Sequence, residues 1–387
     1  MDQNSSKSAV REIMIEFAHL TGLMSDSAPS RRYLWTDAFA VCNFLELYVQ
    51  TGQERYKQFA VDLVDQVHRR LGRHRDDDPR IGWISGLDEN SGRIHPTAAG
   101  LRIGKIMKER KPSDPYDEQL EWDRDGQYFH YLTKWMHALN RVSRVTGDSI
   151  YNRWAIELAK ATHAKFIHVT SSGEKRIYWK MSIDLTYPLE SSMGQHDPLD
   201  GFITYLELQA SAAHMSTHLG LSSEIRDMAD MCKGKMWATA DPLGCGELLS
   251  SAYKLAQLII DEGFDETGLL GVLLDDSLIG ARSFDRSNRS KLSADYRLAF
   301  RELGLSIGLH AVEKLRRLIN QPSSNPRMKH LLHERIESLT EYAHLSEMIE
   351  LYWLEPVNRE SDSWVAHRDI NMVMLATSLA PDVYLSL

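Results

Sequence analysis

Between Arg32 and Gln50 the apolar positions form two adjacent stripes at helical spacing. One is Leu34, Ala38, Val41, Leu45 and Tyr48; beside it run Trp35, Phe39, Cys42 and Val49. A helix apolar over so much of its circumference is buried on more than one side. Thr51-Gly52 stops it, since glycine takes the left-handed backbone that ends helices. The next segment, Arg55 to Leu71, carries a single stripe of Ala60, Val64, Val67 and Leu71 with charges elsewhere. That is the pattern of a half-exposed helix. Buried helix, glycine stop, half-exposed helix is the unit.

The unit returns along the chain. After a long connection, Arg75 to Asp125, come Tyr128, Leu132, Trp135, Leu139 and Val142, stopped at Thr146-Gly147. Tyr151 follows this glycine at the same distance as Tyr56 follows Gly52, and the partner helix carries Trp154, Leu158 and Ala161. A third copy has Ile203, Leu206, Ala210 and Ala213, a stop at Leu219-Gly220, then Ile225, Ala229, Cys232 and Met236. A fourth opens at Asp241-Pro242 with Leu249, Ala252, Ala256 and Ile259, and contains the acidic turn Asp261 to Gly268. A fifth spans Tyr296 to Ile319, with an outer helix from Arg327 to Ala343. The last helix, Trp364 to Leu379, is expected to partner the opening helix, Ala9 to Met24, which a polar connection, Ser25 to Ser30, separates from the first unit. That pairing closes a ring. Repeats of this spacing are stacked units sharing one core. The expected fold is therefore an all-α (α/α)6 toroid in a single domain, with inner and outer helix rings. Strand signals are few; Lys175 to Ile183 alternates and predicts a short ribbon within a connection.

Composition narrows the function without naming it. Lys plus Arg number 45 against 54 Asp plus Glu, a formal net charge of -9, which argues against a nucleic-acid protein. The basic run Arg69-Arg70 with Arg73 and Arg75 is offset at once by Asp76-Asp77-Asp78. The three cysteines, Cys42, Cys232 and Cys245, form no CxxC pair, and the chain shows no apolar run approaching the roughly 18 residues of a membrane span. These features point to a cytoplasmic protein in a reducing compartment, with no nucleic-acid and no membrane partner. His214 with His218 and His330 with His333 lack the third ligand and glutamate of a HExxH-type metal site, so no metal and no cofactor are expected.

Helix counts and polar-aromatic helix starts together resemble the six-hairpin (α/α)6 toroid superfamily. That group includes many glycoside hydrolases, unsaturated glucuronyl hydrolases and the N-acylglucosamine 2-epimerase group. Arg32-Tyr33-Leu34-Trp35 looks like the N-terminal Arg-x-x-Trp of the epimerase group. Trp364-Val365-Ala366-His367 looks like its C-terminal Trp-then-His helix. The group's middle His-Pro and Trp-Trp-Pro-Glu segments are absent, as is the Trp-Gly-rich signature of the unsaturated uronyl hydrolases. The resemblance implies a sugar pocket where the inner helix N-termini converge.

Candidate chemistry sits at those helix starts. In Gln195-His196-Asp197-Pro198-Leu199-Asp200-Gly201, Asp197 suits an N-cap, Pro198 the first helical position and Asp200 the third. The same turn places His196 just outside the cap and aims Asp200 at a pocket, with Glu190 a further rim candidate. Arg32 to Asp37 opens the first inner helix, where Asp37 either meets the helix dipole or serves the site. Trp35 and Tyr33 suit sugar faces, and Arg32 a hydroxyl or carboxylate. Asp125 and Tyr128 open the second inner helix, where one of Asp123 and Asp125 is expected to cap; His130 and His137 there read as satisfied core histidines. Trp364, His367 and Arg368 open the last. The favoured reading is a glycoside hydrolase acting on a small saccharide, its acid and base drawn from Asp37, Asp125 and Asp200. The nearest alternative is a sugar 2-epimerase or isomerase using His196 and His367. A non-catalytic glycan- or protein-binding toroid is the alternative of another class, and the acidic balance disfavours a lyase acting on uronates. Oligomeric state is open.

Overall fold

A computed structural model describes residues 3–24, 31–214, 220–287, 291–321 and 326–387. The expected Ser25 to Ser30 connection, Leu219 and His218 lie outside these residues. The described chain is helical, with small sheets confined to connections. It packs as two compact units: an N-terminal unit, Ala18–Lys233, and a C-terminal unit, Gly234–Leu387 with Met1–Phe17. The opening helix α1 (Gln3–Leu20) thus lies mostly with the end of the chain.

The N-terminal unit begins with the hairpin α2 (Leu34–Thr51) and α3 (Glu54–Leu71). Every residue from Leu34 to Leu47 is buried, as the doubled stripe predicts, whereas Val49, in the last turn, is 59% exposed and does not extend the second stripe. The long connection holds α4 (Glu89–Ile94) and α5 (Glu118–Asp123) and ends in β1 (Gln127–Tyr128). The second hairpin is α6 (Phe129–Thr146) and α7 (Ser149–Phe166). Gly52 and Gly147 end α2 and α6 in the left-handed conformation, at φ 66 and 77°, each returning its N–H to the helix. A side chain there would be strained. Then come β2 (Ile167–Val169), β3 (Lys175–Ile177), β4 (Lys180–Met181) and β5 (Pro188–Glu190). The predicted ribbon is divided: β3 pairs antiparallel with β2, while β4 pairs with β1 and β5. The third hairpin is α8 (Asp197–His214) and α9 (Ser222–Cys232). Met236 falls beyond the end of α9 and is 81% exposed, so it does not extend the outer stripe. In this unit α6 packs between α2 and α8, and each of these three packs on its own hairpin partner.

The C-terminal unit continues with α10 (Pro242–Glu262) and α11 (Thr267–Arg286), then α12 (Ala299–Ile319), α13 (Pro326–Thr340) and α14 (His344–Leu354). Short α15 (Pro356–Arg359) and α16 (Asp362–Ala366) lead to α17 (Arg368–Leu379) and α18 (Asp382–Leu385). The expected helix Trp364 to Leu379 is therefore broken at His367. Asn371 explains the break: its amide nitrogen donates to the Trp364 carbonyl at 3.1 Å while its oxygen accepts from the Phe300 N–H at 3.0 Å. Side-chain bonds replace helical ones, which permits the kink. Here α12 packs on α10, α13, α14 and α17. Among the described residues no helix is long and apolar enough to cross a membrane.

Candidate functional site

In the N-terminal unit the opening turns of α2, α6 and α8 lie side by side and bring aromatic and charged side chains together. From α2, Tyr33 places its hydroxyl 2.8 Å from that of Tyr131 on α6. Burial pushes the Tyr33 phenol up to about 12, so this pair keeps its protons at neutral pH. Trp35 packs between Phe39 and Tyr131, at 4.4 and 6.5 Å between ring centres. Tyr128 ends β1 with its ring 5.1 Å from Tyr131, 5.4 Å from His130 and 5.0 Å from Trp179, the residue just before β4. His130 lies nearly parallel to Trp179, 14° between planes and 6.0 Å between centres. The result is an aromatic cradle, with Tyr33, His130, Tyr131 and Trp179 half-buried rather than enclosed.

Two carboxylates face nitrogens across this cradle. On the first turn of α8, Asp197 Oδ1 is 3.9 Å from His130 Nδ1, and Asp200 Oδ2 is 3.5 Å from Lys134 Nζ. His130 and Lys134 are one helical turn apart on α6, as Asp197 and Asp200 are on α8, so two helix faces meet in register. Asp197 also accepts from the Gly194 N–H at 3.0 Å. The Nδ1 of His130 is buried without a hydrogen bond, and burial pushes this imidazole down to about 4. At neutral pH the ring is uncharged. The seam continues deeper: His137 Nδ1 meets Glu207 at 2.8 Å, Arg141 meets it at 3.3 Å, and Asn140 donates to Ser211 at 2.8 Å. His137 is the satisfied core histidine that sequence reading expects. His130 is not, because its Nδ1 has no hydrogen-bond partner among the described residues.

The other anticipated residues fall in different places. Arg32 and Asp37 form an ion pair at 3.3 Å with side chains 1% and 2% exposed. Asp37 also accepts from the Tyr33 N–H at 3.0 Å, and Arg32 donates to the Thr21 carbonyl, so the pair fixes the start of α2. Asp125 is fully buried and accepts from Arg102 at 2.9 Å, Arg75 at 3.3 Å and the N–H groups of Gly104 and Gly126 at 2.9 and 3.1 Å. This four-donor arrangement pins the long connection to the start of α6. Glu190 accepts from Tyr116 at 2.6 Å and the Ser192 N–H at 2.9 Å on the rim of the small sheet. His196 is half-buried, and its carbonyl accepts from the Asp200 N–H at 3.0 Å.

Within the C-terminal unit, Trp364 is 3% exposed and stacks on Trp353, so its ring belongs to the core. Trp353 in turn donates to Glu302 at 2.9 Å, which Arg297 also grips at 2.6 Å. His367 is exposed at the kink, edge-on to Phe300 at 5.5 Å, and partial burial with the nearby Arg301 charge lowers its basicity. Arg368 is exposed beside it. Among the described residues no group of three His, Cys, Asp or Glu is arranged to hold a metal ion; His218 and the His214 side chain lie outside them. Sequence reading missed Tyr131, Lys134 and Trp179. The first two were legible as polar positions one turn apart on an otherwise apolar helix face; Trp179 had no such signal, because its connection carries no helical period.

No family model and no curated protein matches the chain. Solved structures do. An alpha-1,6-mannanase of glycoside hydrolase family 76 from Salegentibacter sp. HEL1_6 superposes with a TM-score of 0.55 at 12% identity, over 97% of this chain and 99% of that one. The same enzyme has been solved as an inactive variant, with two adjacent aspartates changed to asparagine, holding alpha-1,6-mannotriose. A family 76 alpha-mannanase from Bacteroides thetaiotaomicron gives 0.54 at 8% identity, over 100% of this chain and 97% of that one. Cellobiose 2-epimerase from Spirochaeta thermophila gives 0.50 at 10% identity, over 97% and 98%. At such identities the likeness is one of fold, and that fold is the all-α six-hairpin (α/α)6 toroid.

Proposed function

We propose that this protein is a carbohydrate-active enzyme that hydrolyses a glycosidic bond in the cradle of the N-terminal unit. One observation carries the reading: Asp197 and Asp200, one turn apart, face His130 and Lys134 beside the half-buried Tyr131 and Trp179 rings. Aromatic faces suit the C–H faces of a sugar ring, and carboxylates suit its hydroxyls. Hydrolysis needs a carboxylic acid to protonate the leaving oxygen and a carboxylate to activate water or attack the sugar. Asp200, 3.5 Å from Lys134, is assigned the second role, and Asp197, beside the His130 ring, the first. Asp37 and Asp125 are left out because their oxygens already hold Arg32, Arg75, Arg102 and backbone N–H groups. The mannanases and the epimerase named above share the fold, which is in keeping with a saccharide substrate.

A specific observation favours a second reading, epimerisation. His130 Nδ1, 3.9 Å from Asp197 and without a hydrogen bond among the described residues, stands where an imidazole–carboxylate pair moves a proton at the carbon next to a carbonyl. This shifts the base from the expected His196 and His367 to His130. Three buried free cysteines also support a cytoplasmic, reducing location.

Proton NMR in D2O with pooled mono- and oligosaccharides tests both readings. New anomeric signals establish hydrolysis, and the first-formed anomer separates inversion from retention. Loss of the C2 proton signal without cleavage establishes epimerisation. No change with any sugar, from protein with a native helical spectrum, overturns the enzymatic reading.

A further inference from the structure

Lys105 projects from the long connection toward the cradle, and the backbone around it is held with unusual care. Leu34 N–H donates to the Ile103 carbonyl at 3.0 Å, and Ile103 N–H to the Gly126 carbonyl at 2.8 Å. Gly104, at φ 96°, donates to Asp125, and a Cβ there would lie 2.2 Å from the Arg32 carbonyl oxygen. On the other side Arg75 grips the carbonyls of Lys105 and Ile106 at 2.5 and 2.6 Å while reaching Asp125 at 3.3 Å. Only glycine fits at position 104, and buried ion pairs lock the rest. A segment fixed this firmly presents its side chain in one place.

Among the described residues that side chain's ammonium makes no hydrogen bond and no salt bridge. It is half-buried 5.6 Å from the Tyr128 ring centre, on which Lys180 also bears from 5.3 Å. Burial lowers its basicity, and the Asp123 and Asp125 charges offset this only in part; Asp125 is already shared among four donors. Lys180 by contrast is satisfied, donating to the Glu121 and Arg124 carbonyls at 2.5 and 2.8 Å. A face-on aromatic ring is a weak substitute for the counter-ion that a partly desolvated ammonium requires. The Lys105 charge also reaches His130, whose buried Nδ1 has no hydrogen bond among the described residues.

We propose that Lys105 forms an anion-binding subsite, which selects saccharides carrying a carboxylate or a phosphate over neutral ones. The proposal rests on the saccharide reading of the cradle and assigns its substrate class: an acidic sugar seats its ring against the half-buried Trp179 and its anionic group on the Lys105 ammonium, while buried Tyr128 supports both from beneath.

Isothermal titration of the full chain with three probes tests it: a uronate oligosaccharide, a hexose 6-phosphate and a neutral oligosaccharide of matched length. One of the two anions is expected to bind roughly 10- to 100-fold tighter than the neutral probe, the range of a charge-assisted hydrogen bond. Which anion gains the advantage separates carboxylate from phosphate. Lys105→Met should erase the advantage while changing neutral binding less than about twofold, and Lys105→Arg should keep most of it. If the neutral probe binds and neither anion exceeds it, or if Lys105→Met preserves the advantage, the subsite is overturned and the saccharide reading stands. If no probe binds to protein with a native circular dichroism spectrum, the saccharide reading fails and the subsite with it.

Discussion

Two helix seams in this chain solve the same packing problem with opposite chemistry. In the C-terminal unit, α10 and α12 meet through glycine: a Cβ on Gly246 would lie 1.9 Å from the Gly304 carbonyl oxygen, and one on Gly308 would lie 2.5 Å from that of Gly246. The backbones touch, and no side chain fits between them. In the N-terminal unit, α6 and α8 are held apart by a ladder of His130, Lys134, His137 and Arg141 against Asp197, Asp200 and Glu207. Burying charges is a poor route to stability compared with close apolar packing. A seam that keeps them, and leaves one imidazole nitrogen unbonded at its open end, is organised for more than holding two helices together. The contrast locates chemistry in the polar seam and support in the glycine seam.

The largest expected effect lies at the open end of the ladder. Asp200→Asn should lower turnover by roughly 100- to 10,000-fold, the usual contribution of a positioned acid or base, a loss read at a temperature where circular dichroism shows the variant folded, since it also unpairs the largely buried Lys134. A variant that keeps full activity in a steady-state assay would remove Asp200 from the mechanism. Deeper in the same seam the effect should pass from chemistry to folding. Glu207→Ala strands His137 and Arg141 and should cost about 3–5 kcal/mol of stability, read from urea denaturation. A loss below that range would mean the inner ladder is hydrated rather than sealed.

The glycine seam should respond to size alone. Gly246→Ala should destabilise by about 1–3 kcal/mol through overpacking, with substrate affinity at the N-terminal cradle unchanged in any variant that remains folded. The smallest effect at neutral pH belongs to His130. Its folded value, about 4, lies below the ordinary histidine value, so the unfolded chain binds the extra proton first. Stability from this group is present above about pH 6.5 and is lost as pH falls toward 4. His130→Gln should flatten the denaturation midpoint over that window and leave it unaltered at pH 8. His68 shares the behaviour, because it is buried and accepts from the Trp135 indole at 3.2 Å, so the flattening should be partial.

The helices were largely legible because burial on a helix imposes a period that local sequence displays. Leu132, Trp135, Leu139 and Val142 are all fully buried, and Gly147 ends α6 as its position predicts. The exceptions have local causes: Asn371 supplies side-chain bonds that break the last helix at His367, and Met236 lies past the end of α9. The site was legible only in part. Asp197 and Asp200 stand out at a helix start, but their partners come from α6, more than sixty residues earlier. Asp37 and Asp125 carry the same residue type at similar positions; Arg32 lies close in sequence to Asp37, but nothing near Asp125 announces that Arg75 and Arg102 enclose it.

Sequence alone therefore determined the all-helical repeat, the hairpin stops and the concentration of polar and aromatic residues at helix starts. Each depends on the spacing of a few adjacent side chains, which the chain carries with it in any context. Tertiary structure decided which carboxylate is enclosed by cations and which faces a cradle, which histidine is satisfied and which keeps a free nitrogen, and which lysine is left without a counter-ion. Those properties depend on charges brought within a few ångströms by elements distant along the chain, and electrostatic environment has no period to read.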